Sequence, residues 1–127
     1  MTMPEMVFEC DASEADALKK ALEYDPYLDK SLDEEGLKRL SQDKSANVIF
    51  ARQAYDLRDA GAFGIKNGRY YLYIKASEEF LKGAEQRLRA EFKTVKRAGE
   101  ADSAKVIHTI KDEEERANAG IGSIFGG

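Results

Sequence analysis

Asn67-Gly68 stands immediately before a run of alternating character, Arg69, Tyr70, Tyr71, Leu72, Tyr73, Ile74 and Lys75. Asn-Gly supplies the two positive-φ residues of a type I′ turn, whose twist matches that of the strands it joins. The pair predicts a β-hairpin, so any fold for this chain must contain an antiparallel strand pair. The partner strand comes from upstream. Asn47, Val48, Ile49, Phe50 and Ala51 read as a buried strand that continues toward Arg58, with Ile49, Ala51, Tyr55 and Leu57 on one parity.

The other elements follow from period and punctuation. Met6, Phe8 and Cys10 alternate and predict a first strand over 6–10. Ser13 with Asp16 makes a capping pattern for a helix over 14–24, with Leu18, Ala21 and Leu22 on one stripe. Pro26 ends it. Ser31 and Glu34 form a second capping box, which predicts a short helix over 32–41. Ser77 caps a helix over 78–91 whose apolar stripe is Phe80, Leu81, Ala84, Leu88 and Phe92. A weaker strand over 93–98 ends at Gly99, and a last amphipathic helix over 103–117 carries Val106, Ile107 and Ile110. Residues 118–127 read as a glycine-rich apolar tail. This order predicts an α+β domain over 1–117 of the ferredoxin-like, split βαβ type. Two helices would cover one face of a four-stranded antiparallel sheet, with a short inserted helix and a C-terminal helix and tail.

A chain of 127 residues is one domain's worth, and its formal charge of −4 opposes general phosphate binding. No apolar run approaches the roughly 18 residues of a membrane span, so no membrane partner is expected. The first residues lack the basic and apolar segments of a signal peptide, and Cys10 is the single cysteine, so a cytoplasmic location is expected.

The chemistry available is narrow. His108 is the single histidine, which rules out a two-histidine metal site within one chain. Cys10 shares its side of the strand with Phe8 and reads as a small buried hydrophobe, and the two residue types of a thiol dyad have no spacing that joins them. The acidic stretch from Asp25 to Glu35 fails the EF-hand pattern, because Glu34 or Lys30 falls where glycine is required. Phosphate-loop, nucleophile-elbow and zinc-protease motifs are absent. No cofactor, metal or catalytic residue is expected.

Binding is better supplied. In a two-helix, four-stranded plan the second sheet face is open to ligands. Alternation puts Arg69, Tyr71, Tyr73 and Lys75 on it, with Lys96 and Arg97 of the last strand nearby. Rings and cations there suit a protein partner or a second copy. They also suit single-stranded nucleic acid, and a small-ligand site or enzyme on the same face is a third use. The RNA recognition motif requires glycine after its basic residue, whereas Tyr70 follows Arg69. In the tail, Ile121, Ile124 and Phe125 lie among glycines and suit docking on the domain, a second copy or a partner. The terminal Gly126-Gly127 resembles the ends of ubiquitin-like modifiers, but their β-grasp fold begins with a hairpin and this chain begins strand then helix. The sequence therefore points to a non-catalytic binding module that uses the sheet face and the tail.

Overall fold

A computed structural model describes residues 3–25, 33–36, 38 and 49–125, with side chains through Ala117. Strand β1 (Glu5–Cys10) leads through a 3-10 turn (Ala12–Glu14) into helix α1 (Ala15–Glu23). After a 3-10 turn at Phe50–Arg52 come β2 (Ala54–Asp59), another 3-10 turn (Ala60–Phe63) and β3 (Tyr70–Lys75). Helix α2 (Glu78–Glu91), strand β4 (Lys96–Arg97) and helix α3 (Glu100–Phe125) follow. The strands form a four-stranded antiparallel open sheet in the order β2-β3-β1-β4. The fold is therefore α+β.

Strand alternation splits the apolar residues into two cores. One face of β1 and β3 presents Phe8, Cys10, Leu72 and Ile74 to Leu18 and Leu22 of α1 and to Leu81, Ala84 and Leu88 of α2. Each large apolar side chain fully buried there contributes about 1.5–3 kcal/mol. The other face presents Val7, Tyr71 and Tyr73 to Val106 and Ile110 of α3, with Phe63 and Ile65 closing one end. The expected parity of β1 and β3 is met. The expected emptiness of the second face is not, because α3 lies across it.

Several local expectations need correcting. The turn before β3 is not type I′. Among the described residues positive φ occurs only at Gly64 (72°) and Gly68 (70°), so Asn67 stays outside the left-handed region. The connection spans residues 60–69 and has no need of a two-residue reversal. Its 3-10 turn closes on Gly64, and the Asn67 side chain accepts from the Arg69 backbone N–H at 2.9 Å. Ser13 does not cap α1; it lies inside the preceding 3-10 turn, and neither Asp11 nor Glu14 makes a side-chain cap bond. Phe50 and Ala51 sit in a 3-10 turn rather than a strand, while Asn47 and Val48 lie outside the described residues. Of the short helix expected over 32–41, residues 34–36 and 38 are helical, Asp33 precedes them outside the helix, and 32, 37 and 39–41 lie outside the described set. Asp33 accepts from the Gly36 N–H at 2.8 Å at the start of these residues, and Ser31 lies outside the described set. Ser77 caps α2 as expected, accepting from the Phe80 N–H at 3.2 Å.

Glu14 ties the start of α1 to the loop before β4. Its carboxylate accepts from the backbone N–H groups of Lys93 (3.0 Å) and Thr94 (2.7 Å) and from the Thr94 hydroxyl. The Thr94 hydroxyl bond, followed by these backbone bonds, holds the Glu14 carboxyl below its ordinary value of 4.5. Glu85 and Glu113 are also lowered, by Arg97 and Arg58. A carboxyl lowered on folding stabilises above its unfolded pKa and loses that contribution as pH falls through the folded value. Acid unfolding is therefore expected to set in below about pH 4.5, and Glu14→Gln to flatten this acid limb while costing about 2 kcal/mol at neutral pH. Urea titrations across pH 3–7 check both.

Candidate binding surfaces

The face between β1, β3 and α3 is sealed by polar contacts around a small apolar centre. The phenol of Tyr71 donates to Asp102 of α3 at 3.0 Å and accepts from the Asn67 amide at 2.7 Å. The phenol of Tyr73 donates to Glu5 at 2.6 Å, and Lys111 of α3 lies 3.4 Å from the other oxygen of Glu5. Arg58 of β2 binds Asp56 and, at 2.6 Å, Glu113 of α3, and it stacks on Phe63 with 5.5 Å to the ring centre. Burial first, then the bond to Glu5, pushes the Tyr73 phenol well up; burial likewise raises Tyr71. Both phenols are neutral donors at physiological pH.

The six expected binding residues therefore divide. Tyr71 and Tyr73 are 0% and 4% exposed and belong to the second core, not to an open surface. Arg69 lies 3.3 Å from Glu9 and 3.7 Å from Asp11, and Lys96 lies 3.4 Å from Glu9. Lys75 is half-buried at the end of β3, opposite Glu5. Arg97 is set apart: it follows Lys96 in a strand, points the other way and grips Glu85 of α2 through two bonds of 2.7 Å. Glu5, Glu9 and Asp56 intersperse the cations, so this face is no continuous basic patch. This closure leaves no mark in the sequence, because tyrosines suit an exposed sheet and a half-polar core equally.

The backbone of α3 is helical through Phe125 and so takes in residues 118–125 of the glycine-rich apolar segment. The side chains of Ile121, Ile124 and Phe125 lie outside the described set, as do Gly126 and Gly127. At about 1.5 Å per residue, α3 is roughly twice as long as the strands it crosses.

The groups weighed for catalysis lie apart. Cys10 is buried in the first core, and burial, then Glu14 and Asp11, pushes its thiol up to about 11. It is a protonated core residue at neutral pH. His108 is exposed on α3, across the sheet from Cys10. Among the described residues no three His, Cys, Asp or Glu side chains gather as metal ligands, and no helix is long and apolar enough to cross a membrane.

An open concavity lies elsewhere. A groove of about 480 Å³ runs between α1 and the sheet edge, walled by Asp16, Lys19 and Glu23 on one side and by Tyr55, Asp56 and Leu57 on the other. Leu22 and Tyr70 also line it. Among the described residues β2 pairs only with β3, so its outer edge faces this groove. The Ala60 N–H donates to the Arg69 carbonyl at 2.8 Å, one step beyond the Asp59–Tyr70 pair. Antiparallel ladders alternate, so residues 54, 56 and 58 turn their backbone groups to β3, while Tyr55 and Leu57 turn theirs outward. The sequence carries no signal for this site, since edge status is a property of topology. Comparison of the chain with protein-family models, curated proteins and solved structures finds no significant match.

Proposed function

We propose that this chain is a small binding module of the ferredoxin-like class that docks a polypeptide segment in the groove between α1 and β2. The strand order β2-β3-β1-β4, with α1 and α2 both packed on one face, supports the class, and α3 is its addition on the other face. One observation carries the binding reading: the groove sets outward backbone groups of an edge strand beside a helix wall with apolar and charged side chains. The tyrosine face expected from the sequence is a weaker candidate, because its rings already have partners in α3.

Peptide display against the full chain tests this. Selected peptides are expected to bind with micromolar affinity and to weaken at least about tenfold on Lys19→Trp, about 1.4 kcal/mol. That substitution fills the groove from an exposed position of α1. Failure to enrich any peptide, or equal binding to Lys19→Trp, contradicts the reading.

A further inference from the structure

We infer that the occupant of the α1–β2 groove is an extended segment with basic side chains on alternate residues, added to the sheet as a fifth strand beside β2. This rests on the reading of the groove as a polypeptide site and specifies the form and charge of what enters it.

Extended form follows from the edge. Strand β2 is six residues long and paired on one side among the described residues. Tyr55 and Leu57 each turn an N–H and a C=O into the groove, and an incoming strand satisfies all four groups at once. The opposite edge strand, β4, has two residues and offers no comparable ladder.

Charge follows from the walls. Among the described residues, the charged lining of the groove is Asp16, Glu23 and Asp56 against Lys19. Asp56 is held by Arg58, whereas Asp16 and Glu23 make no ion pair among the described residues. They stand two turns apart on α1, about 10.5 Å. Side chains on one face of an extended chain recur every 6–7 Å, so lysines on alternate residues span both carboxylates. Their aliphatic stems lie along Tyr55 and Leu57 while the ammonium groups reach the rim. A second copy of this chain suits the groove less well. Its own edge strand carries Asp56, Arg58 and Asp59, and its α1 carries the same acidic rim.

The test uses the full chain, labelled with ¹⁵N, and the peptide Ac-Thr-Lys-Val-Lys-Thr-Lys-NH2. Three further peptides accompany it: one with Glu for every Lys, one N-methylated at the Lys amides and one at the Thr and Val amides. The lysine peptide is expected to shift the Tyr55 and Leu57 amides and to bind at least about tenfold more tightly than the glutamate peptide. Asp16→Lys with Glu23→Lys, both on the exposed side of α1, is expected to remove that preference. One N-methylated peptide is expected to lose binding and the other to keep it, because alternate amides of an added strand face the ladder. Groove shifts with equal binding of both N-methylated peptides overturn strand addition and leave the groove reading standing. Glutamate binding as tightly as lysine, or display-selected groove binders with no response to the lysine peptide, overturns the charge assignment alone. If no peptide of any kind engages the groove, the reading beneath the inference fails as well.

Discussion

Replacing Phe8 by alanine is expected to lower the unfolding free energy by about 3–5 kcal/mol. Phe8 is fully buried on β1, a central strand, opposite Leu72 and beneath both α1 and α2. Truncation removes the ring's burial and leaves a cavity that strand backbone and two helices cannot easily close. A single domain is stable by about 5–15 kcal/mol, so much of the margin goes. Val7, one residue earlier, points to the smaller second core. Val7→Ala is expected to cost only about 1–2 kcal/mol. Urea unfolding of the two variants checks the ordering. Equal losses would contradict the division of the strand between two cores of different size.

Val106→Asp is the second large effect and acts on α3. Val106 is fully buried, and together with Ile110 it forms the buried apolar attachment of α3 among the described side chains. A carboxylate there is desolvated with no cation set to receive it, which costs about 3 kcal/mol or more. The contacts that surround it, Tyr71 to Asp102 and Arg58 to Glu113, are partly exposed and too weak to hold α3 by themselves. The expected outcome is release of α3 with the first core kept. Amide exchange accelerates over 100–117, and the amides of Phe8, Leu72 and Leu88 stay protected. If those protected amides exchange along with α3, the two cores unfold as one unit.

The elements legible in the sequence were those fixed by short-range chemistry. The bounds of α2 follow from the Ser77 cap and the 3.6-residue spacing of Leu81, Ala84 and Leu88, and the structure returns them unchanged. The inward set on β3, Leu72 and Ile74, follows from alternation alone. Decisions made by long-range packing were not legible. Asn67-Gly68 is a strong hairpin signal, but the loop from Ala60 to Arg69 has room to use Gly64 and Gly68 without placing Asn67 at positive φ. Tyr71 and Tyr73 alternate with the core set whether the outer face meets water or a helix. Only the register of α3, with Val106 over the sheet and Asp102 at the Tyr71 phenol, decides between the two. The groove is least legible of all, since Asp16, Glu23 and Tyr55 meet only once β2 is known to be an edge.

The most direct measurement is tyrosine nitration of the full chain, read by peptide mass spectrometry with and without the lysine hexapeptide. Tyr24 is 43% exposed and Tyr55 lines the groove, whereas Tyr71 and Tyr73 lie under α3. The expected result is modification at Tyr24 and Tyr55, sparing of Tyr71 and Tyr73, and protection by the added peptide of Tyr55 and its groove neighbour Tyr70 but not of Tyr24. Nitration of Tyr71 and Tyr73 at the rate of Tyr24, or peptide protection that falls on them instead of Tyr55, would place the binding surface back on the sheet face and contradict the assignment to the groove.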